Sequence, residues 1–159
     1  MPTPTPGAPV TIIDYVPAHA PAFKALNQAW IERYFEMEEL DHESLGDPDG
    51  YIIARGGHIF MADYQGELVG TCALLKVDHT TYELAKMAVT DKVQGLKIGR
   101  RLGEAAIRTA CGLGARTLFL LSNRKLETAL HLYRNLGFQE VPDELREYKR
   151  ADIKMVLAL

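Results

Sequence analysis

Between Leu84 and Arg101 the chain reads LAKMAVTDKVQGLKIGRR. An apolar run at Met87, Ala88 and Val89 gives way to polar Thr90, Asp91 and Lys92. Gln94-Gly95-Leu96-Lys97-Ile98-Gly99 then leads into a long amphipathic segment. The order is strand, glycine-bearing turn, helix. A helix that starts this way presents free backbone N–H groups and the positive end of its dipole to whatever lies in front, and phosphate suits such a place. Two familiar nucleotide motifs do not fit. A Walker loop keeps four residues between its glycines and ends in Gly-Lys-Ser/Thr, whereas three separate Gly95 from Gly99 and Arg100 follows; G-x-G-x-x-G is absent.

Other reactive side chains carry weaker signals. Cys72 and Cys111 fall in a predicted strand and a predicted helix, with no partner at metal-ligand spacing, so both are expected to be small buried hydrophobes and no disulfide is expected. His42, His58, His79 and His131 show no ligand spacing either, which gives no metal site. From Glu36 to Asp49 the chain carries Glu36, Glu38, Glu39, Asp41, Glu43, Asp47 and Asp49 with no lysine or arginine. This is either a solvated acidic helix ending at Asp47-Pro48-Asp49-Gly50 or a negative rim that concentrates a cationic amine.

The elements that must position these residues can be read from periodicity. Val10 to Val16 predicts a first strand. Pro21 opens a helix whose apolar face is Phe23, Leu26, Trp30 and Tyr34. Trp30 is read as core, or as an aromatic lining an acceptor pocket. His58 to Tyr64 and Leu68 to Val77 form a hairpin about Gln65-Gly66-Glu67, and Tyr82 to Val89 adds a third antiparallel strand. Ile98, Leu102, Ala105, Ala106, Ala110 and Leu113 mark the next helix, ended by Gly112 and Gly114. Thr117 to Leu121 reads as a buried strand, parallel to the one before the loop. Leu126, Ala129, Leu130, Tyr133 and Leu136 return to helical spacing until Gly137. Gln139 to Val141 and Ala151 to Ala158 close the chain as strands.

Composition sets the class. The 159 residues, 47% hydrophobic and 25% charged, suit one globular domain with a single sizeable core. A net charge of −3 argues against bulk nucleic-acid binding, and no apolar run approaches the length of a membrane span. Residues 1–9 are rich in Pro and Thr and predict a disordered tail, with 10–159 as the domain and the cytosol as default compartment.

Three segments, in order, carry a resemblance. Leu68-Val69-Gly70-Thr71 ends a hairpin; Glu83 to Leu102 contains a loop similar to [QR]-x-x-G-x-[GA], with Gln94 first, Gly99 last and Lys97 in place of the middle glycine. Ala129-Leu130-His131-Leu132-Tyr133-Arg134-Asn135-Leu136-Gly137-Phe138 is similar to A-x-x-L-Y-x-x-x-G-F. Together they resemble the GNAT superfamily of acyl-CoA N-acyltransferases over nearly the whole chain after Val10. The resemblance implies an α/β (α+β) fold, a central mixed sheet of about six to seven strands flanked by helices, and direct acyl transfer, acetyl by default, from acetyl-CoA to a primary amine.

What the resemblance implies for the site can be stated by residue. The pantetheine arm would pair with backbone near Met87, Ala88 and Val89. The pyrophosphate would sit on the amides of Gln94, Gly95, Leu96, Lys97, Ile98 and Gly99, with Lys97, Arg100 and Arg101 adding cationic contacts. An N–H near Val89 would polarise the thioester carbonyl. Asn123 would stand in for an asparagine that the family carries where this chain has Leu126. Tyr133 is the candidate acid toward the leaving sulfur, or else a member of the helix's apolar face. Glu83 is the candidate base, or else an outward strand residue. An unperturbed glutamate near pKa ~4.3 is a poor base for an ammonium, so burial or a water relay would have to help. The rival class is a non-catalytic acyl-CoA sensor, which could dispense with Tyr133 and Glu83; a nucleic-acid regulator is opposed by the acidic balance. An exposed edge strand could pair two copies into a homodimer.

Overall fold

The computed structural model describes residues 9–93, 95–143 and 148–159. The expected N-terminal tail lies almost wholly outside the described residues, as does Gln94. In chain order the elements are β1 (Thr11–Asp14), α1 (Ala20–Tyr34), α2 (Glu39–Gly46), β2 (His58–Tyr64), β3 (Glu67–Lys76), β4 (Thr81–Val89), α3 (Ile98–Gly112), β5 (Thr117–Ser122), α4 (Glu127–Asn135), β6 (Gln139–Val141) and β7 (Ile153–Ala158). The strands form one mixed sheet in the order β1-β2-β3-β4-β5-β7-β6.

Local chemistry explains most of these boundaries. Gln65 and Gly66 both take positive φ, 54° and 83°, which is the two-residue turn that matches the twist of β2 and β3. The Asp63 carboxylate secures it by accepting from the Gly66 N–H at 3.1 Å. At the other end, Gly137 with φ 105° stops α4 and turns the chain into β6.

The sheet separates two cores. On one side α3 and α4 cover Cys72, Leu74, Tyr82, Leu84, Leu118 and Leu120. On the other, α1 and α2 cover Ile59, Met61 and Ala73 with Phe23, Ile31 and Leu45. Two glycines let α3 and α4 meet closely. A Cβ at Gly103 would lie 2.7 Å from Leu136 Cδ1, and one at Gly99 would lie 3.2 Å from Leu132 Cδ2. A third, Gly70 on β3, admits Ile98 and Leu102 of α3.

Several expectations need correction. Cys111 is exposed, because α3 turns it away from the sheet; only Cys72 is the buried thiol, donating to the Leu102 carbonyl at 3.7 Å. Tyr34 and Leu113 are also exposed, Tyr34 as the last residue of α1 and Leu113 just past the end of α3. The buried stripe of α1 runs through Phe23, Asn27 and Ile31, and the Asn27 amide is satisfied by the Phe23 carbonyl at 3.0 Å.

Candidate active site

β4 and β5 pair in parallel over only three positions, Thr81 with Thr117, Tyr82 with Leu118 and Glu83 with Phe119. Beyond them β5 stays paired with β7, while β4 stays with β3. The cause lies in β4. Its register with β3 passes from Ala73–Ala85 to Thr71–Ala88, so β4 holds one residue more than its partner over that interval. Lys86 sits within the bulge at φ 57°. A bulge bends its strand and adds twist, and here it carries Met87, Ala88 and Val89 away from β5.

The gap is a cavity of about 90 Å³. Its walls come from α1 at Trp30 and Ile31, from β4 between Glu83 and Met87, and from α4 at Leu126, Ala129 and Tyr133. Tyr133 packs edge-on against Phe138, with ring centroids 6.2 Å apart. Its hydroxyl has no hydrogen-bond partner among the described residues. Burial, with the Cys72 thiol close by, raises its pKa well above the usual phenol value. The phenol therefore remains a proton donor throughout the neutral and mildly basic range.

The loop before α3 explains the substitution in its motif. Gly95 has φ 75° and Lys97 has φ 54°, so the place that the motif gives to its middle glycine is left-handed, a conformation that favours glycine. Lys97 is also the residue that precedes the first turn of α3, and no side chain caps that end of the helix. The amides of Ile98, Gly99 and Arg100 thus lack helical acceptors. Arg100 lies beside them, loosely paired with Glu104 at 3.7 Å. Arg101 points elsewhere, donating to the Val10 carbonyl and tying α3 to the start of β1.

Along the wall of the same cleft that faces α2, where Lys86, Tyr148 and Arg150 line it, the charges are paired. Asp41 of α2 accepts from both guanidinium nitrogens of Arg150, at 2.6 and 2.8 Å, from the Lys86 ammonium at 3.2 Å and from the Glu38 N–H at 2.9 Å. These partners, chiefly the Arg150 hydrogen bond, outweigh burial and hold its carboxyl below the ordinary carboxylate range. Lys86 is lowered by burial, against the pull of Asp41, and also donates to the Tyr148 hydroxyl at 3.2 Å. Glu38 takes the backbone N–H groups of Lys149 and Arg150. Two carboxylates of the expected acidic rim are therefore consumed in an ion cluster and offer nothing to a cationic amine.

Among known families, the model for the acetyltransferase (GNAT) domain matches residues 55–140, more than half of the chain. The chain belongs to the GNAT family. An N-acetylaspartate synthetase of Danio rerio is 32% identical over 103 residues, covering 63% of this chain and 36% of that protein. The chain spans between about a third and a little over half of the length of the curated relatives it matches. Two solved structures share the GNAT fold. A GNAT acetyltransferase of Staphylococcus aureus Mu50 superposes with a TM-score of 0.84 at 21% identity, covering 94% of this chain and 99% of that one. The yncA protein of Salmonella typhimurium, solved with its cofactor acetyl-CoA, gives 0.73 at 17% identity, covering 95% and 94%.

Within this GNAT domain the residues singled out by sequence divide into three groups. Met87, Tyr133, Glu83 and Asn123 all line the cleft. Glu83 stands at the last paired position of β4, buried at 9% exposure, so it is not an outward strand residue. Asn123 departs from its expected use: its side-chain amide donates to the Arg150 carbonyl at 2.7 Å and accepts from the Lys125 N–H at 2.9 Å. It shapes the cleft wall and has no hydrogen bond left for a ligand along those two directions. Ala88 is buried, Val89 pairs with Gly70, and Gly95, Leu96, Lys97, Ile98, Gly99 and Arg100 form the loop and first helical turn. Gln94 lies outside the described residues. Sequence reasoning missed Lys86, Tyr148 and Arg150. Lys86, the one charged residue in the run Leu84 to Val89, was the one signal present.

Proposed function

We propose that this chain is an N-acetyltransferase that moves an acetyl group from acetyl-CoA to a primary amine. The observation that carries the reading is Tyr133, a phenol with no hydrogen-bond partner among the described residues, kept protonated by burial where β4 and β5 part. The Tyr133 ring is buried while its hydroxyl keeps some exposure, and the residue lines the cleft. The unmet edge of β4 at Met87 to Val89 suits an amide-bearing arm, and the uncapped start of α3 behind Gly95 and Lys97 suits a pyrophosphate. Acetyl-CoA, seen with the Salmonella protein, has both groups. In the transfer, a bond forms between the amine nitrogen and the acetyl carbon while the carbon–sulfur bond breaks. Glu83 takes the proton that the amine loses, and the Tyr133 O–H supplies one to the departing sulfur. A β4 N–H beside Val89 stabilises the oxygen that gains charge.

Acceptor charge is the finer question. The acidic stretch 36–49 favours a small cationic amine through Glu36, Glu39 and Glu43, which remain outside the ion cluster. Against this, the name of the Danio rerio relative points to an amine that is itself an acid. Release of CoA thiol from acetyl-CoA, measured against amines of several classes with an acceptor-free control, tests the transferase. Acceptor-dependent release is the expected result. Tight acetyl-CoA binding with no release for any amine would overturn it and favour a sensor.

A further inference from the structure

A second cavity, of about 460 Å³, lies on the α2 side of β4 and shares two walls, Glu83 and Tyr148, with the cleft. Its volume suits a small ligand. Its lining also includes Arg55, Tyr51 and Lys76. Arg55 is not a loose surface side chain: its guanidinium stacks on the Tyr51 ring at 4.2 Å from the centroid. Lys76 reaches the same rim, its chain crossing Gly56, where an added Cβ would come within 2.8 Å of Lys76 Cδ. Neither cation has a carboxylate partner among the described residues.

The lining of this cavity therefore carries both signs, the Glu83 carboxylate on the wall shared with the cleft and the Arg55 and Lys76 cations. The complement of such a site is a molecule that carries an amine at one end and an anion at the other. We infer that the second cavity is the acceptor subsite and that it takes an amine bearing a carboxylate, the carboxylate bound by Arg55 and Lys76 and the amine presented to Glu83. A guanidinium held flat by an aromatic ring matches the two oxygens of a carboxylate. The inference rests on the acetyltransferase reading and names its substrate class.

The test uses three amines of equal length with acetyl-CoA as donor: 4-aminobutyrate, butylamine and 1,4-diaminobutane, with L-glutamate and L-leucine added as α-amino acids. The expected result is a kcat/KM at least tenfold higher for the carboxylate-bearing acceptors than for butylamine or the diamine. In the Arg55→Met, Lys76→Met double variant this ratio falls about tenfold through acceptor KM, with the KM for acetyl-CoA unchanged. Both residues are exposed, so folding is not at stake. Arg55→Glu should turn the preference toward the diamine. Turnover that favours butylamine or the diamine, or a ratio indifferent to the variants, overturns the subsite and leaves the transferase standing. No turnover of any amine removes the transferase reading and the subsite with it.

Discussion

The two sides of β4 are built by opposite means. Toward α3 and α4 the contacts are apolar and close, governed by glycines at 70, 99 and 103, and the Tyr133 phenol has no hydrogen-bond partner among the described residues. Toward α2 the contacts are ionic: a carboxylate with no exposed surface gathers an arginine, a lysine and a backbone amide. Tight apolar packing fixes where an arm of invariant chemistry can lie. Buried charge holds its own members in place, and Arg55 and Lys76, which have no carboxylate partner among the described residues, line the cavity beside it, where acceptors would differ from one another. The first side is suited to a donor that never changes, the second to a choice among acceptors.

The largest test of this contrast is Asp41→Ala. It strands Arg150 and Lys86 in a buried site without their counter-charge and should cost about 3–5 kcal/mol in urea unfolding. A cost below about 1 kcal/mol would mean that the cluster is solvated and the contrast is lost. The same group sets a pH dependence. Because the folded state holds the Asp41 carboxyl below its ordinary value, its contribution is complete above the unfolded pKa near ~4 and disappears as pH falls through the folded value. Asp41→Asn should flatten that acid limb of the stability curve.

On the other side of β4, Tyr133→Phe keeps the ring against Phe138 and removes only the hydroxyl. It should lower kcat by about 100-fold, with KM for acetyl-CoA changed by about twofold or less. Equal losses in both would make the residue a packing element. Gly103→Ala should cost about 1–3 kcal/mol through overpacking on Leu136. Adding Leu136→Ala should recover part of that loss, and no recovery would place the strain elsewhere. The smallest effect is expected at Lys97→Gly. Relief of the left-handed backbone should stabilise the fold by about 1 kcal/mol or less, while the KM for acetyl-CoA rises modestly if the ammonium meets a phosphate. A drop in KM would show that the charge has no part in binding.

The apolar side of β4 was legible in the sequence and the ionic side was not. Periodicity located α3 and α4, turn residues located the β2–β3 hairpin, and the loop pattern located the uncapped helix, because each is a local arrangement of neighbours in the chain. The ion cluster joins Glu38, Asp41, Lys86 and Arg150, residues separated by as many as 112 positions, and no spacing rule relates them. For the same reason composition read the acidic stretch as a solvated helix or a negative rim, although Asp41 is buried and Glu38 half-buried, both paired with distant cations. The insertion of β7 between β5 and β6 was likewise invisible, since strand order is a property of the folded sheet. Lys97 was visible as a departure from the motif, and only its backbone angle shows why glycine is usual there.

The extra residue in β4 makes regularity and usefulness alternatives for this fold. Losing one amino acid at position 86 would restore an even ladder between β3 and β4 and let β4 and β5 zip together for their full lengths. Such a protein would have more backbone hydrogen bonds and a better-filled interior, and nowhere to put a substrate. Natural variation that shortens this strand should therefore be found, if anywhere, in relatives that have kept the architecture and abandoned the chemistry.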